Sequence, residues 1–237
     1  MKPKLVRTYV LFILFVSFAM SANTLMAESG SGPFVVIIGA PAAGKSDSSE
    51  MISEMYTVPS IDVRKELLKA VKKEAARTSS VHAFHNSKRS AAGIKRRQAM
   101  QSAVSKLEAG ELVSDDSLNA LVASKIFDPA SSGGFVLDGY PMTVSQAEFL
   151  DSIVEVKGLI PLTVIYLNVP DEVALKRMKE RGRMDDQSEF AEKRLETFRS
   201  MIGPLLDYYG EGVVTEVDGT QSRSKVAADI SKGIEQQ

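Results

Sequence analysis

Five stretches of the chain are apolar on consecutive positions. Residues 34–38 read FVVII and stop at Gly39; residues 134–141, GFVLDGYP, and 162–169, LTVIYLNV, have the same character. Residues 58–63 and 212–219 are weaker versions of it. Continuous runs rich in Val and Ile mark strands buried on both faces. Between them lie segments with helical spacing: 47–56, 65–77, 94–110, 114–128, 143–156, 171–181, 188–210 and 224–237. Ser114 stands where a helix N-cap belongs, with acids behind it that suit the helix dipole. Gly110 ends one helix, and Pro204 is expected to kink or break another. Residues 78–93 read as irregular. Alternating strands and helices predict an α/β architecture: a parallel five-stranded sheet covered by helices on both faces.

The first residues follow a different pattern. Lys2, Lys4 and Arg7 precede YVLFILFVSFAM, residues 9–20, and small residues follow. That order reads as a secretory signal peptide over residues 1–27, or as an uncleaved membrane anchor. The apolar run is shorter than the roughly 20 residues a spanning helix needs. A Gly/Ser linker at 28–32 separates it from one domain over 33–237. The expected location is therefore exported (periplasmic) or membrane-anchored.

Composition narrows the chemistry. The formal net charge is -1, without the basic excess of a nucleic-acid binder. There are no cysteines and two histidines, which excludes disulfides and thiolate sites and disfavours zinc. A monomer with small-molecule partners is expected.

The segment GAPAAGKSDS, residues 39–48, carries the candidate chemistry. Gly39, Ala40, Pro41, Ala42, Ala43, Gly44, Lys45 and Ser46 fit G-x-x-x-x-G-K-[ST] between a buried strand and a helix. Glycines let successive N–H groups point at phosphate oxygens, and the helix N-terminus favours anions. Lys45 is placed to reach the β- and γ-phosphates of a nucleotide triphosphate, and the Ser46 hydroxyl to ligate Mg²⁺. Asp138 ends an apolar strand at the edge where open α/β sheets bind ligands, and is a second candidate for the metal; an Asp-Gly turn is the alternative. Arg177 and Arg181 share a helix face, with Arg183 and Arg194 close behind. Solvated surface charge is one reading of them. Cations around a moving phosphoryl group is the other.

Assembled, these residues resemble the adenylate kinase family of nucleoside monophosphate kinases, over Phe34 to about Ile230. GAPAAGKS is similar to the family's phosphate loop, EAGELVSDD to the helix end before its central strand, and GFVLDGYPMTVSQAE to its G-F-[LI]-[LI]-D-G-F-P-R-T-x-x-Q-A stretch. RMKERGRMDD and KRLETFRSMIGPLLDYY resemble the lid and the helix behind it. The resemblance implies a three-layer P-loop kinase fold, with a helical acceptor-binding insert at about 62–112 and a very short lid at about 181–187. It implies that ATP, with Mg²⁺, donates a phosphoryl group to a nucleoside monophosphate, AMP first. It places Arg177 against the donor base and Arg181, Arg183 and Arg194 around the transferring group. Asp185 and Asp186 position the lid arginines, Asp138 organises Mg²⁺, and Gln146 reads the acceptor base.

The acceptor side departs from the family pattern. Met142 stands where an arginine holds the acceptor's phosphate. The second such arginine has its nearest counterpart in Lys69, with Arg64 and Lys65 as alternatives. Asp47 replaces a donor-side threonine. Lys88, Arg89 and Lys95–Arg97 could replace the lost charge or form a solvated helix face, and His82 and Phe84 could stack on a base or belong to a partly packed loop. A kinase of another small metabolite, or a nucleotide-binding sensor with little turnover, are the competing readings.

Overall fold

The computed structural model describes residues 32–79, 98, 102, 105, 106, 113–159, 161–183, 186, 188–210 and 212–236. Its strands are β1 (Phe34–Gly39), β2 (Ser60–Asp62), β3 (Phe135–Asp138), β4 (Leu162–Asn168) and β5 (Val214–Asp218). They form one sheet in the order β2-β3-β1-β4-β5, and every neighbouring pair is parallel. The helices are α1 (Lys45–Tyr56), α2 (Val63–Ser79), α3 (Asp115–Ile126), α4 (Val144–Lys157), α5 (Asp171–Arg181), α6 (Ser188–Tyr209) and α7 (Arg223–Glu235).

Strand β1 shows why its sequence is apolar without alternation. Phe34, Val36 and Ile38 enter one core, with Leu118 and Val122 of α3, Leu150 of α4 and Leu205 of α6. Val35 and Ile37 enter the other, with Ile52 of α1, Ala174 and Met178 of α5 and Ile230 of α7. Side chains alternate across the sheet, so helices on both faces demand apolar residues at every position. The expected helix-covered parallel sheet is the observed one.

Element ends differ from the sequence reading where side chains decide them. Thr143 lies before α4 rather than in it, its Oγ1 accepting the Gln146 N–H at 3.2 Å. Ser114 is the N-cap of α3, but its hydroxyl donates to Ser117 Oγ at 3.1 Å and does not cap the backbone. Strand β2 is shorter than 58–63, because Asp62 already caps α2: its Oδ1 accepts the Lys65 N–H at 2.9 Å. Helix α6 runs through Pro204 instead of breaking. Leu205 beside it is 1% exposed, and this core packing outweighs the backbone bond that proline removes.

Residues 33–237 form one compact unit. The expected signal or anchor segment, almost all of the linker, most of the helix at 94–110, His82, Phe84, Lys88, Arg89, Lys95–Arg97 and Asp185 lie outside the described residues. Among the described residues, no helix is long and apolar enough to cross a membrane.

Candidate active site

The C-terminal ends of the strands open into a cleft of about 440 Å³. Its floor is the loop from Gly39 to Ser46. A Cβ on Gly39 would sit 2.8 Å from the backbone oxygen of Leu167 on β4, so strand packing admits no side chain there. Gly44 caps α1 at φ 104°, a conformation that glycine adopts without strain. Ala42 holds the left-handed conformation (φ 59°) without being glycine, a local strain inside the loop.

Lys45, first residue of α1, folds over this loop. Its Nζ donates to the carbonyls of Gly39 at 2.7 Å and Ala40 at 2.8 Å. Burial lowers its ammonium to about 8, against the opposing pull of the Asp138 carboxylate. Asp138 ends β3 in register with Ile37 of β1 and is 5% exposed. Its Oδ2 accepts the Ser46 hydroxyl at 2.8 Å. Burial pushes its carboxyl above the usual range, while the Lys45 ammonium and the Ser46 hydroxyl pull the other way.

The arginines form the far wall. Arg181 donates from Nε and Nη2 to the two oxygens of Asp186 at 2.8 and 2.7 Å, a bidentate clamp. Arg194 on α6 donates to the same carboxylate at 3.0 Å, and the Arg183 N–H at 3.3 Å. The Asp186 side chain is fully buried. Burial alone would raise its carboxyl; the Arg181 guanidinium and the other donors outweigh that and hold it below the usual range. The positioning role that the resemblance implied for Asp186 thus has a geometry: one carboxylate joins α5 to α6. Arg177 bonds the carbonyls of Gly219 at 2.9 Å and Ala43 at 3.4 Å, tying the loop to the end of β5.

Gly39, Pro41, Ala42, Gly44, Lys45, Ser46, Asp138 and the four candidate arginines all line the cleft. Ala40 and Ala43 lie beneath it and contribute backbone carbonyls to Lys45 and Arg177. Two candidates stand apart. Lys69 is 71% exposed and pairs with Glu66 at 2.7 Å, outside the cleft. Gln146 is 0% exposed and off the cleft wall. Its Oε1 accepts the Met142 N–H at 2.7 Å and its Nε2 donates to Asp115 Oδ1 at 2.7 Å. In this structure that amide braces the Met142 turn against α3 and presents no edge to a base.

Other residues of the cleft were less legible. Asp62 lines it in register with Asp138 on the neighbouring strand. The signal available was a carboxylate closing a short apolar strand, as Asp138 closes β3. Arg64 lines the cleft, whereas Lys65 pairs with Asp62 at 3.2 Å. Met142 lines it too, as do Leu67, Val113 and Leu118.

Known proteins place this geometry. The adenylate kinase family model matches residues 88–214. An adenylate kinase of Mycobacteroides abscessus is 30% identical over 200 residues, spanning 84% of this chain and 98% of that protein. One from Methylorubrum extorquens is 35% identical over 213 residues (85% and 95%), and one from Methylobacterium radiotolerans 32% over 212 (85% and 95%). With the phosphate loop, the parallel sheet and the arginine wall in the family's order along the chain, this protein belongs to the adenylate kinase family of nucleoside monophosphate kinases.

Proposed function

We propose that this enzyme transfers the γ-phosphoryl group of ATP to AMP, giving two diphosphates, with Mg²⁺ on the donor phosphates. One observation carries the reading: the phosphate-loop lysine and the arginines clamped by Asp186 face one cleft. Loop amides and Lys45 hold the triphosphate tail. An oxygen of the acceptor's phosphate attacks the γ-phosphorus in line as the bond to the β-γ bridging oxygen breaks, and ADP leaves with that electron pair. Arg181, Arg183 and Arg194 offer guanidinium donors to the charge on the moving group. Asp186 holds Arg181 and Arg194 before substrate arrives, so little reorganisation is required during transfer.

The donor set fits a hard cation. Ser46 and Asp138 contribute oxygens, they already meet at 2.8 Å, and Asp138 is a buried carboxylate whose charge a cation would compensate. Mg²⁺ held there would supply charge neutralisation at the phosphates.

The presence of Met142 on the acceptor side favours a second reading, in which the acceptor is another small phosphorylated metabolite. An assay coupling ADP release to AMP, GMP, CMP, UMP and dTMP separates them. ADP release that depends on AMP supports the proposal; release with none of the five refutes it. Lys45→Ala should lower turnover by roughly 10²- to 10³-fold, as loss of a transition-state donor does.

A further inference from the structure

We infer that Asp47 makes the phosphate loop select a nucleoside triphosphate in complex with a divalent cation over the same triphosphate as a free anion. The inference rests on the phosphotransferase reading above and adds a specificity residue to its donor end. Asp47 lies in the first turn of α1, directly after Lys45 and Ser46. It is exposed and lines the cleft with them.

An acid is out of place there on electrostatic grounds. The loop N–H groups, the start of α1 and the Lys45 ammonium all favour anions. Among the described residues, three carboxylates line the cleft. Asp138 is buried and takes the Ser46 hydroxyl at 2.8 Å. Asp62 takes the Lys65 N–H at 2.9 Å and pairs with its ammonium at 3.2 Å. Both belong to the strand ends. Asp47 instead stands on the helix whose N-terminus closes the phosphate loop. An acid in a first turn favours the helix dipole, which accounts for the helix. It does not remove the cost to the ligand, because any anion brought onto the loop meets this carboxylate as well.

That cost depends on what the anion carries. Coulomb repulsion scales with the charge of the ligand. A divalent cation on the donor phosphates cancels part of that charge. Asp47 therefore opposes the free triphosphate more than its metal complex, and the difference is selectivity. Lys45 and the arginine wall cannot supply it, since cations hold the more highly charged form more tightly. One carboxylate beside the loop thus keeps uncomplexed nucleotide off the donor end of a cleft rich in basic side chains.

The test compares wild type, Asp47→Asn, Asp47→Ala and Asp47→Glu. Calorimetry gives Kd for ATP in saturating Mg²⁺ and in EDTA, at one ionic strength and without acceptor. The readout is the ratio of the metal-free Kd to the Mg²⁺ Kd. Loss of the charge in Asp47→Asn and Asp47→Ala should lower that ratio roughly 3- to 30-fold, chiefly by tightening the metal-free complex. Asp47→Glu keeps the charge and should keep the wild-type ratio. High salt should narrow the gap between wild type and Asp47→Asn. Thermal melts confirm that each variant is folded; a helix-stabilising role alone would lower the melt of Asp47→Ala and leave the ratio unmoved.

A ratio that is unchanged or raised in Asp47→Asn overturns the inference, as does Asp47→Glu behaving like Asp47→Asn, or a gap that salt does not narrow. If wild type transfers to no nucleoside monophosphate, the function proposed above fails on its own, and the binding ratio still decides the role of Asp47. Wild type that binds ATP in neither form refutes both.

Discussion

Replacing Asp186 by asparagine should cripple transfer more than it destabilises the fold. The carboxylate takes Arg181 at 2.7 and 2.8 Å and Arg194 at 3.0 Å, from a fully buried side chain. Asparagine has nearly the same shape but no charge, and it can accept at only one of its two terminal atoms. Removing one partner of a buried pair costs about 3–5 kcal/mol when the remaining charge is trapped. Here Arg181 and Arg194 are 29% and 17% exposed, so both can turn toward water. The stability loss should therefore be smaller, about 1–3 kcal/mol, the range for charged hydrogen bonds. Activity depends on where the guanidinium groups sit, and a misplacement of ~1 Å can cost about 100-fold in rate.

The expected result is a kcat lowered roughly 10- to 100-fold, with KM for ATP little changed. Steady-state kinetics and urea denaturation measure the two effects. The pH dependence supplies the sign. Folding lowers the Asp186 carboxyl below its ordinary 3.8, so its contribution is complete above that value and is lost as pH falls through the folded value. Wild type and variant should differ by a constant amount near neutral pH and converge only in strong acid. Unchanged kcat and denaturation midpoint in Asp186→Asn would refute the view that this carboxylate sets the arginine wall.

Two further outcomes probe the scaffold of the site. Gln146→Ala leaves the part-buried Met142 N–H and the Asp115 carboxylate without their partner, and should destabilise by about 1–3 kcal/mol in denaturant melts. A base-reading role alone would instead raise the acceptor KM and leave the melt unmoved. Gly39→Ala drives a methyl to within 2.8 Å of the Leu167 carbonyl and should cost roughly 1–3 kcal/mol by overpacking; an unaltered denaturation midpoint would contradict the close strand approach.

Local chemistry explains what could be read early. Residues 39–46 announce a phosphate loop because their function resides in backbone turns, a helix start and one lysine, all within eight consecutive residues. The apolar runs of β1, β3 and β4 were legible because burial on both faces leaves no polar position. Charges beyond the loop were harder to assign. Arg64, Lys65 and Lys69 lie on one helix and all look basic, yet one lines the cleft while the others face Asp62 and Glu66.

The sequence by itself determined the helix-covered parallel sheet, the phosphate loop at its edge and the adenylate kinase resemblance, since period, spacing and glycine placement are properties of neighbours along the chain. Tertiary structure alone decided that Asp186 clamps two helices, that Gln146 spends its amide on Met142 and Asp115, and that Asp62 stands in register with Asp138 on the neighbouring strand. Those pairings join positions far apart in the chain or fix which direction a side chain takes. They depend on strand order and helix docking, which no local pattern encodes.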